Sequence, residues 1–200
     1  MAKKKLRPPP FRTDQRKVMN ARIWLAAFRE EYTAKDATGA MWTTHMFEVL
    51  HRMQHRFAMH CLCEHGDGKH HEPGEALEID LMWFKRNGGT YDVPLLALEH
   101  ENSYLAAEAK KDFWRVFQVA APLRVFIGYS RNNPEQRLEE LVTLRSKGWQ
   151  GDLFHRLQGG EDIALVGQRG MGGFNSWYGA VWSGNKVHRL HEFLRSRLQQ

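Results

Sequence analysis

The segment 76–102 constrains the fold more than any other part of this 200-residue chain. Two largely apolar runs, ALEIDLMWF (76–84) and YDVPLLALEHEN (91–102), flank KRNGGT, whose Asn-Gly-Gly supplies the residues that a tight reversal needs. A β-hairpin is the expected result. Side chains alternate across a strand, so Glu78 and Asp80 share one face while Leu77, Ile79, Leu81 and Trp83 take the other. Glu99 and Glu101 likewise share a face, with His100 opposite. A turn centred on Gly89-Thr90 sets Asp80 across from Glu99 and Glu78 across from Glu101, gathering four carboxylates. A register shifted by one residue would send some of them to solvent instead.

Gathered carboxylates demand compensation. Two of them ~5 Å apart at an effective dielectric of ~20 repel by roughly 3 kcal/mol, a large fraction of a domain's net stability. Relief comes from a raised pKa, from a nearby cation, or from a bound divalent metal. Hard oxygen ligands favour Mg²⁺, Mn²⁺ or Ca²⁺.

Around the hairpin the pattern alternates helices with strands. Val18, Ala21, Leu25, Phe28 and Tyr32 recur at helical spacing over 15–32, and Met46, Leu50, Met53 and Phe57 do so over 40–60. The glycine-rich, charged stretch 64–75 reads as a loop. A helix over 103–120, a buried strand over 122–130 and a helix over 134–148 begun by Pro134 follow. Further strands are expected at DIALVGQ and SWYGAVWS, on either side of RGMGGF, with a short helix closing the chain. This order predicts an α/β fold. The expected organisation is a basic, proline-rich flexible arm over 1–13 and a single domain over 14–200.

A formal charge of +6 and a pI near 9.4 favour polyanionic partners, nucleic acid first among them. Lys3, Lys4, Lys5, Arg7 and Arg12 of the arm are candidate phosphate contacts; the alternative is a solubilising tail. No apolar run approaches the ~18 to 20 residues of a membrane span. Neither does a signal-length apolar segment follow the basic start, so secretion is not expected. Cys61 and Cys63 are too close to staple a fold, which suits a reducing, cytoplasmic setting.

Asp80 in EIDL, then Glu99-His100-Glu101 in LALEHEN, then a helix and APLRVFIGY, resemble the PD-(D/E)XK, restriction-endonuclease-like nuclease superfamily over residues 40–130. The resemblance implies a restriction-endonuclease-like core, a mixed central sheet with an antiparallel hairpin bearing the acidic site, flanked by helices. It implies Mg²⁺ or Mn²⁺ held by Asp80, Glu99 and the backbone carbonyl of His100, and a nucleic-acid substrate, DNA before RNA; a homodimer is compatible with it. Glu101 stands where most members carry a lysine, and would orient the attacking water. Where the lysine migrates in such proteins, Lys110 and Lys111 are the candidates here, with Arg115 able to supply charge but not to act as a base. Members also draw an extra acidic residue from the helix before the hairpin. Glu48, which shares a helix face with His45, Arg52 and His55, is that candidate, a solvated face being the alternative.

The segment 51–71 holds His51, His55, His60, Cys61, Cys63, His65, His70 and His71, a composition that allows a structural Zn²⁺. HRMQH mimics the zinc-protease helix, but Arg52 occupies the position of the Glu base, which disfavours protease chemistry. GQRGMGGF lacks the Lys-Ser/Thr of a phosphate loop and reads as a hairpin turn. Trp177, Tyr178 and Trp182 beyond it are candidates for core packing before base stacking. The sequence-level expectation is a metal-dependent nuclease. Its alternatives are an inactive nuclease-like domain that binds nucleic acid or a partner protein, and a zinc-stabilised binding module.

Overall fold

The structure, a computed structural model, describes residues 19–33, 39–63, 72–73, 78–85, 93–148, 159–169, 173–184 and 186–196. In chain order these form α1 (Ala21–Glu31), α2 (Gly39–Phe57), β1 (His60–Cys63), β2 (Glu72–Pro73), β3 (Leu81–Phe84), β4 (Leu96–His100), α3 (Ala106–Val116), β5 (Leu123–Tyr129), α4 (Pro134–Gly148), β6 (Glu161–Gly167), β7 (Tyr178–Ser183), β8 (Lys186–Arg189) and α5 (Leu190–Arg195). The strands make one mixed sheet in the order β2-β1-β3-β4-β5-β6-β7-β8. β1, β3 and β4 are antiparallel neighbours, β4, β5 and β6 are parallel, and β7 and β8 return antiparallel.

Alternation along the strands builds two cores, one on each face. Leu81, Trp83, Leu96, Leu98, Val125 and Ile127 meet the buried stripes of α1 (Trp24, Leu25, Phe28) and α2 (Trp42, Met46, Leu50, Met53). Met82, Phe84, Ala97, Phe126, Ala164 and Val166 meet Phe113 and Val116 of α3 and Leu138 and Leu141 of α4. Covered on both sides, β5 is buried along its whole length, which explains why it reads as a continuous apolar run. Asn20 caps α1, its Oδ1 accepting from the Ile23 N–H at 3.0 Å. No described helix is long and apolar enough to cross a membrane.

The expected hairpin is present as the β3–β4 pair, with Leu81 opposite Leu98 and Trp83 opposite Leu96. Its strands are shorter than the expected 76–84 and 91–102. Glu78 takes a left-handed conformation (φ +58°), which breaks the ladder ahead of β3. Ile79 therefore packs with Met82 and Phe84, and not with Leu81 and Trp83 as strict alternation predicts. β1, β2 and β8 are strands where none was expected; β2 lies within the stretch 64–75 read as a loop and pairs parallel with β1. Ala58, left-handed at φ +52°, ends α2 just before β1, and without a glycine there nothing in the sequence marks the stop. The arm with Lys3, Lys4, Lys5, Arg7 and Arg12, and the turn residues 86–92, lie outside the described residues.

Candidate active site

The parallel strands β4, β5 and β6 end at one edge of the sheet, and β3 begins there. Extending the Leu81–Leu98 pairing by one residue brings Asp80 beside Glu99, where the His100 N–H donates to Asp80 Oδ2 at 2.7 Å. Glu99 alternates away from Leu98 and, like Ala97, faces the side covered by α3, where it is 2% exposed. His100 turns to the other face, its Nε2 2.9 Å from the Tyr129 hydroxyl and its ring edge-on to Phe47. The His100 backbone N–H stands beside the carboxylates, and its imidazole does not.

The helix α3 closes the site. Asp112, itself buried, shares a hydrogen bond with Glu101 and accepts from Arg115 Nη2. Arg115 Nη1 donates to the Glu78 carbonyl at 2.7 Å and lies 3.4 Å from Glu78 Oε2, while its Nε stands 3.6 Å from Glu99 Oε1. The Ser103 N–H donates to Glu101 Oε1. Glu78 reaches the group only through Arg115, because its own carboxylate is largely exposed. The cluster is therefore the buried Glu99 and Asp112 with the half-buried Asp80 and Glu101, beside one guanidinium.

One cation does not balance four carboxylates, and protons make up part of the difference. Burial, reinforced by the negative charge of Asp80 and only partly countered by Arg115, pushes Glu99 up to about 10. Burial and the hydrogen bond to Asp112 push Glu101 up to about 7. Glu99 Oε1 is buried and accepts no hydrogen bond. Such an oxygen, among other hard carboxylate oxygens, fits a divalent cation of the Mg²⁺ or Mn²⁺ kind. Among the described residues no group of three or more His, Cys, Asp and Glu side chains is gathered as a ready-made metal set.

Other expected residues lie elsewhere. Lys110 points along α3 toward α4, its Nζ 3.5 Å from Glu140 Oε2, and does not join the carboxylates; Lys111 is exposed. The charge that α3 delivers is that of Arg115. Glu48 sits on α2, which packs on the opposite face of the sheet; it is half-exposed, with His45 Nδ1 at 3.9 Å, and is not brought to the cluster. Arg52, expected on the same face, pairs with Glu31 of α1. Cys61 and Cys63 are buried side by side on one face of β1, and a hydrogen bond to Cys63, with burial, pushes the Cys61 thiol far above its ordinary value, opposite to what a zinc thiolate needs. His65, His70 and His71 lie outside the described residues. Trp177 and Trp182 are core residues, whereas Tyr178 is exposed.

Asp112 is the site residue that the sequence reading missed. Its signal is its position: Ala109, Asp112, Phe113 and Val116 form the buried stripe of α3, and an aspartate in an apolar stripe requires a partner at the surface it packs on. Comparison of the chain with protein-family models, with characterised proteins and with solved structures finds no match.

Proposed function

We propose that this protein is a divalent-metal-dependent nuclease with a restriction-endonuclease-like core, hydrolysing phosphodiester bonds in DNA. The observation that carries the reading is the convergence of Asp80, Glu99, Glu101 and Asp112 at the end of β4, with Glu99 Oε1 lacking a hydrogen bond. The order of α2, the antiparallel β1, β3 and β4, then α3 and β5 lends support, since it puts Asp80 just ahead of one hairpin strand and Glu99 on the other, followed by a helix and a strand.

In this reading Asp80, Glu99 and the carbonyl of His100 hold Mg²⁺ or Mn²⁺. The bound ion would supply Lewis acidity toward the phosphate and lower the pKa of water. Glu101, at about 7, is matched to accept the proton of the attacking water near neutral pH. Asp112 orients Glu101 and Arg115 together, and Arg115 offers fixed positive charge to the phosphate. Water adds across the P–O bond, leaving a phosphate monoester and a free hydroxyl.

Cleavage of plasmid and single-stranded DNA with Mg²⁺, Mn²⁺ or EDTA, from about pH 5.5 to 9, tests this. Metal-dependent cleavage should rise with pH through about 7. Glu101→Gln should remove that limb, and Glu99→Gln should lower the rate by roughly 100-fold or more, the scale of losing a group that stabilises charge at the reacting centre. Cleavage by Glu99→Gln at the wild-type rate would end the reading. A second reading, a nuclease-like domain that binds without cutting, is favoured by one arrangement: Arg115 already serves as cation while Lys110 is committed to Glu140. DNA binding with no cleavage under any of these metals is its signature.

A further inference from the structure

The edge of the sheet that carries the carboxylates also carries a group of opposite sign. Tyr104 follows Glu101 closely in the chain, Arg131 lies just beyond β5, and Arg169 just beyond β6. The guanidinium carbon of Arg169 lies 4.2 Å from the centroid of the Tyr104 ring, and that of Arg131 lies 4.8 Å from it. Arg137, in the first turn of α4, donates from Nη2 to the Tyr104 carbonyl at 3.4 Å. A cavity of about 260 Å³ opens here, with Tyr104, Ser130, Arg131, Gln136, Arg137 and one carboxylate, Glu140, in its wall; Arg169 reaches the Tyr104 ring without lining the cavity.

The charge balance is unlike that around the other arginines of the sheet. Arg124 and Arg145 are both paired with Asp162, and Arg189 with Glu139 at 2.6 Å. Among the described residues neither Arg131 nor Arg169 has a carboxylate at ion-pair distance; their guanidiniums meet aromatic rings instead. Arg169 Nε and Arg137 Nη1 are buried without a hydrogen-bond partner, and the one acidic neighbour of Arg137, Glu140 at 3.9 Å, is shared with Lys110. Both guanidiniums lie over the Tyr104 ring, and that of Arg169 is also 5.8 Å from the Tyr129 ring centroid, so aromatic stacking holds them where a carboxylate holds the others. The planar N–H fork of a guanidinium matches two oxygens of one phosphate. The carboxyl ends of parallel strands are also where open α/β sheets bind ligands.

We infer that Arg131, Arg137 and Arg169, organised on Tyr104, form a subsite for a backbone phosphate of the DNA strand, next to the carboxylate cluster. The identity of the strand rests on the nuclease reading. Phosphate bound there neutralises the uncompensated guanidiniums and draws the neighbouring phosphodiester toward Glu99 and Glu101. Tyr104 acts as a positioning residue, fixing where the two forks point.

The test is fluorescence anisotropy of the full chain with a 5′-fluorescein single-stranded DNA of about 20 nucleotides and with its duplex, in EDTA so that no strand is cut. The Arg131→Ala/Arg169→Ala double variant should bind on the order of 10-fold or more weakly and lose about one to two units from the slope of log Kd against log salt. Tyr104→Leu should weaken binding by a few-fold at an unchanged salt slope, because the charges remain while their orientation is lost. Arg131→Gln, at an exposed position, keeps the test available should the double variant not fold. Arg189→Ala removes one charge from a paired site and should leave binding unchanged. Wild-type affinity in the double variant and in Arg131→Gln overturns the subsite while leaving the nuclease reading intact, and so does an equal loss in Arg189→Ala. Absence of wild-type binding to either DNA at low salt overturns both. Weakened binding in the double variant, with Glu99→Gln still cutting, upholds the subsite and removes the catalytic reading.

Discussion

One face of the sheet buries two charged clusters, at opposite ends, and they settle the same electrostatic problem differently. At the amino ends of β5 and β6, Arg124 and Arg145 both bind the Asp162 carboxylate, and all three residues are 1–3% exposed. The excess positive charge meets fixed groups. Arg124 Nη2 donates to the Gly159 carbonyl at 3.1 Å, and Arg145 lies 4.3 Å from the Trp182 ring centroid and 5.1 Å from that of Phe117. Burial lowers Arg145 only to about 10, so it stays charged at neutral pH. At the other end of the face the excess is negative, and protons on Glu99 and Glu101 relieve it. Dipoles and rings are permanent, whereas protons exchange with solvent and can be displaced by a cation. A cluster neutralised by fixed groups is a structural element. One neutralised by protons changes its charge with pH.

The largest effect should come from breaking the balanced cluster. Asp162→Asn leaves two buried guanidiniums facing a neutral amide, and removing one partner of a buried ion pair costs about 3–5 kcal/mol. In a chain of this size that lowers the melting temperature by on the order of 10 °C. A melting curve within a few degrees of wild type would show that the carbonyl and the aromatic faces suffice, and that the two clusters do not differ in the manner argued.

Neutralising the acidic cluster should act with the opposite sign. The Glu99 carboxyl titrates at about 10 in the folded chain, against an ordinary value of 4.5. Between those limits the unfolded chain has lost a proton that the folded chain retains, so the stability contribution falls as pH rises and is fully restored only below about 4.5. At pH 7 the cost is on the order of 3 kcal/mol. Glu99→Gln should therefore melt higher than wild type in the absence of metal, with a gap that widens from about pH 5 to 9. A lower melting temperature would mean that Arg115 holds Glu99 ionised, making it an ordinary ion-pair residue.

The hairpin shows how far pattern reading reaches. Apolar alternation through Leu81, Met82 and Trp83 and through Leu96, Ala97 and Leu98, joined by Asn-Gly-Gly, specifies a register, and the observed Leu81–Leu98 pairing is the one that brings Asp80 to Glu99. The helix begun by Pro134 and the buried run of β5 were equally legible, because a proline start and an unbroken apolar strand each have one local meaning. Asp112 was not. Beside Lys110 and Lys111 it reads as part of a polar helix face, and only the docking of α3 on the sheet shows that its face is the buried one. The same docking decides between Lys110 and Arg115, which no spacing rule could do, and the packing of α2 on the other face removes Glu48. Local chemistry fixes register and element ends; which of several charged residues meets a site depends on how helices pack.

The smallest effect tests that last distinction. Lys110 was the residue that the family resemblance offered as a migrated catalytic lysine, and its Nζ instead stands 3.5 Å from Glu140, with both side chains more than a third exposed. An exposed pair of this kind contributes roughly 0 to 1 kcal/mol, because solvent screens it and holding two long side chains costs entropy. Lys110→Ala should therefore shift the melting temperature by no more than about 2–4 °C. Metal-dependent cleavage should stay within about twofold of wild type, since the proposed proton acceptor is Glu101 and the proposed fixed cation is Arg115. Arg115→Ala is the informative contrast. It removes the guanidinium that counters the negative charge around Glu99, so it should push Glu99 still higher and steepen the loss of metal-free stability with rising pH, which Lys110→Ala should not do. A loss of cleavage in Lys110→Ala as large as in Glu101→Gln would mean that α3 turns when substrate binds and that the contact with Glu140 belongs to the free protein alone.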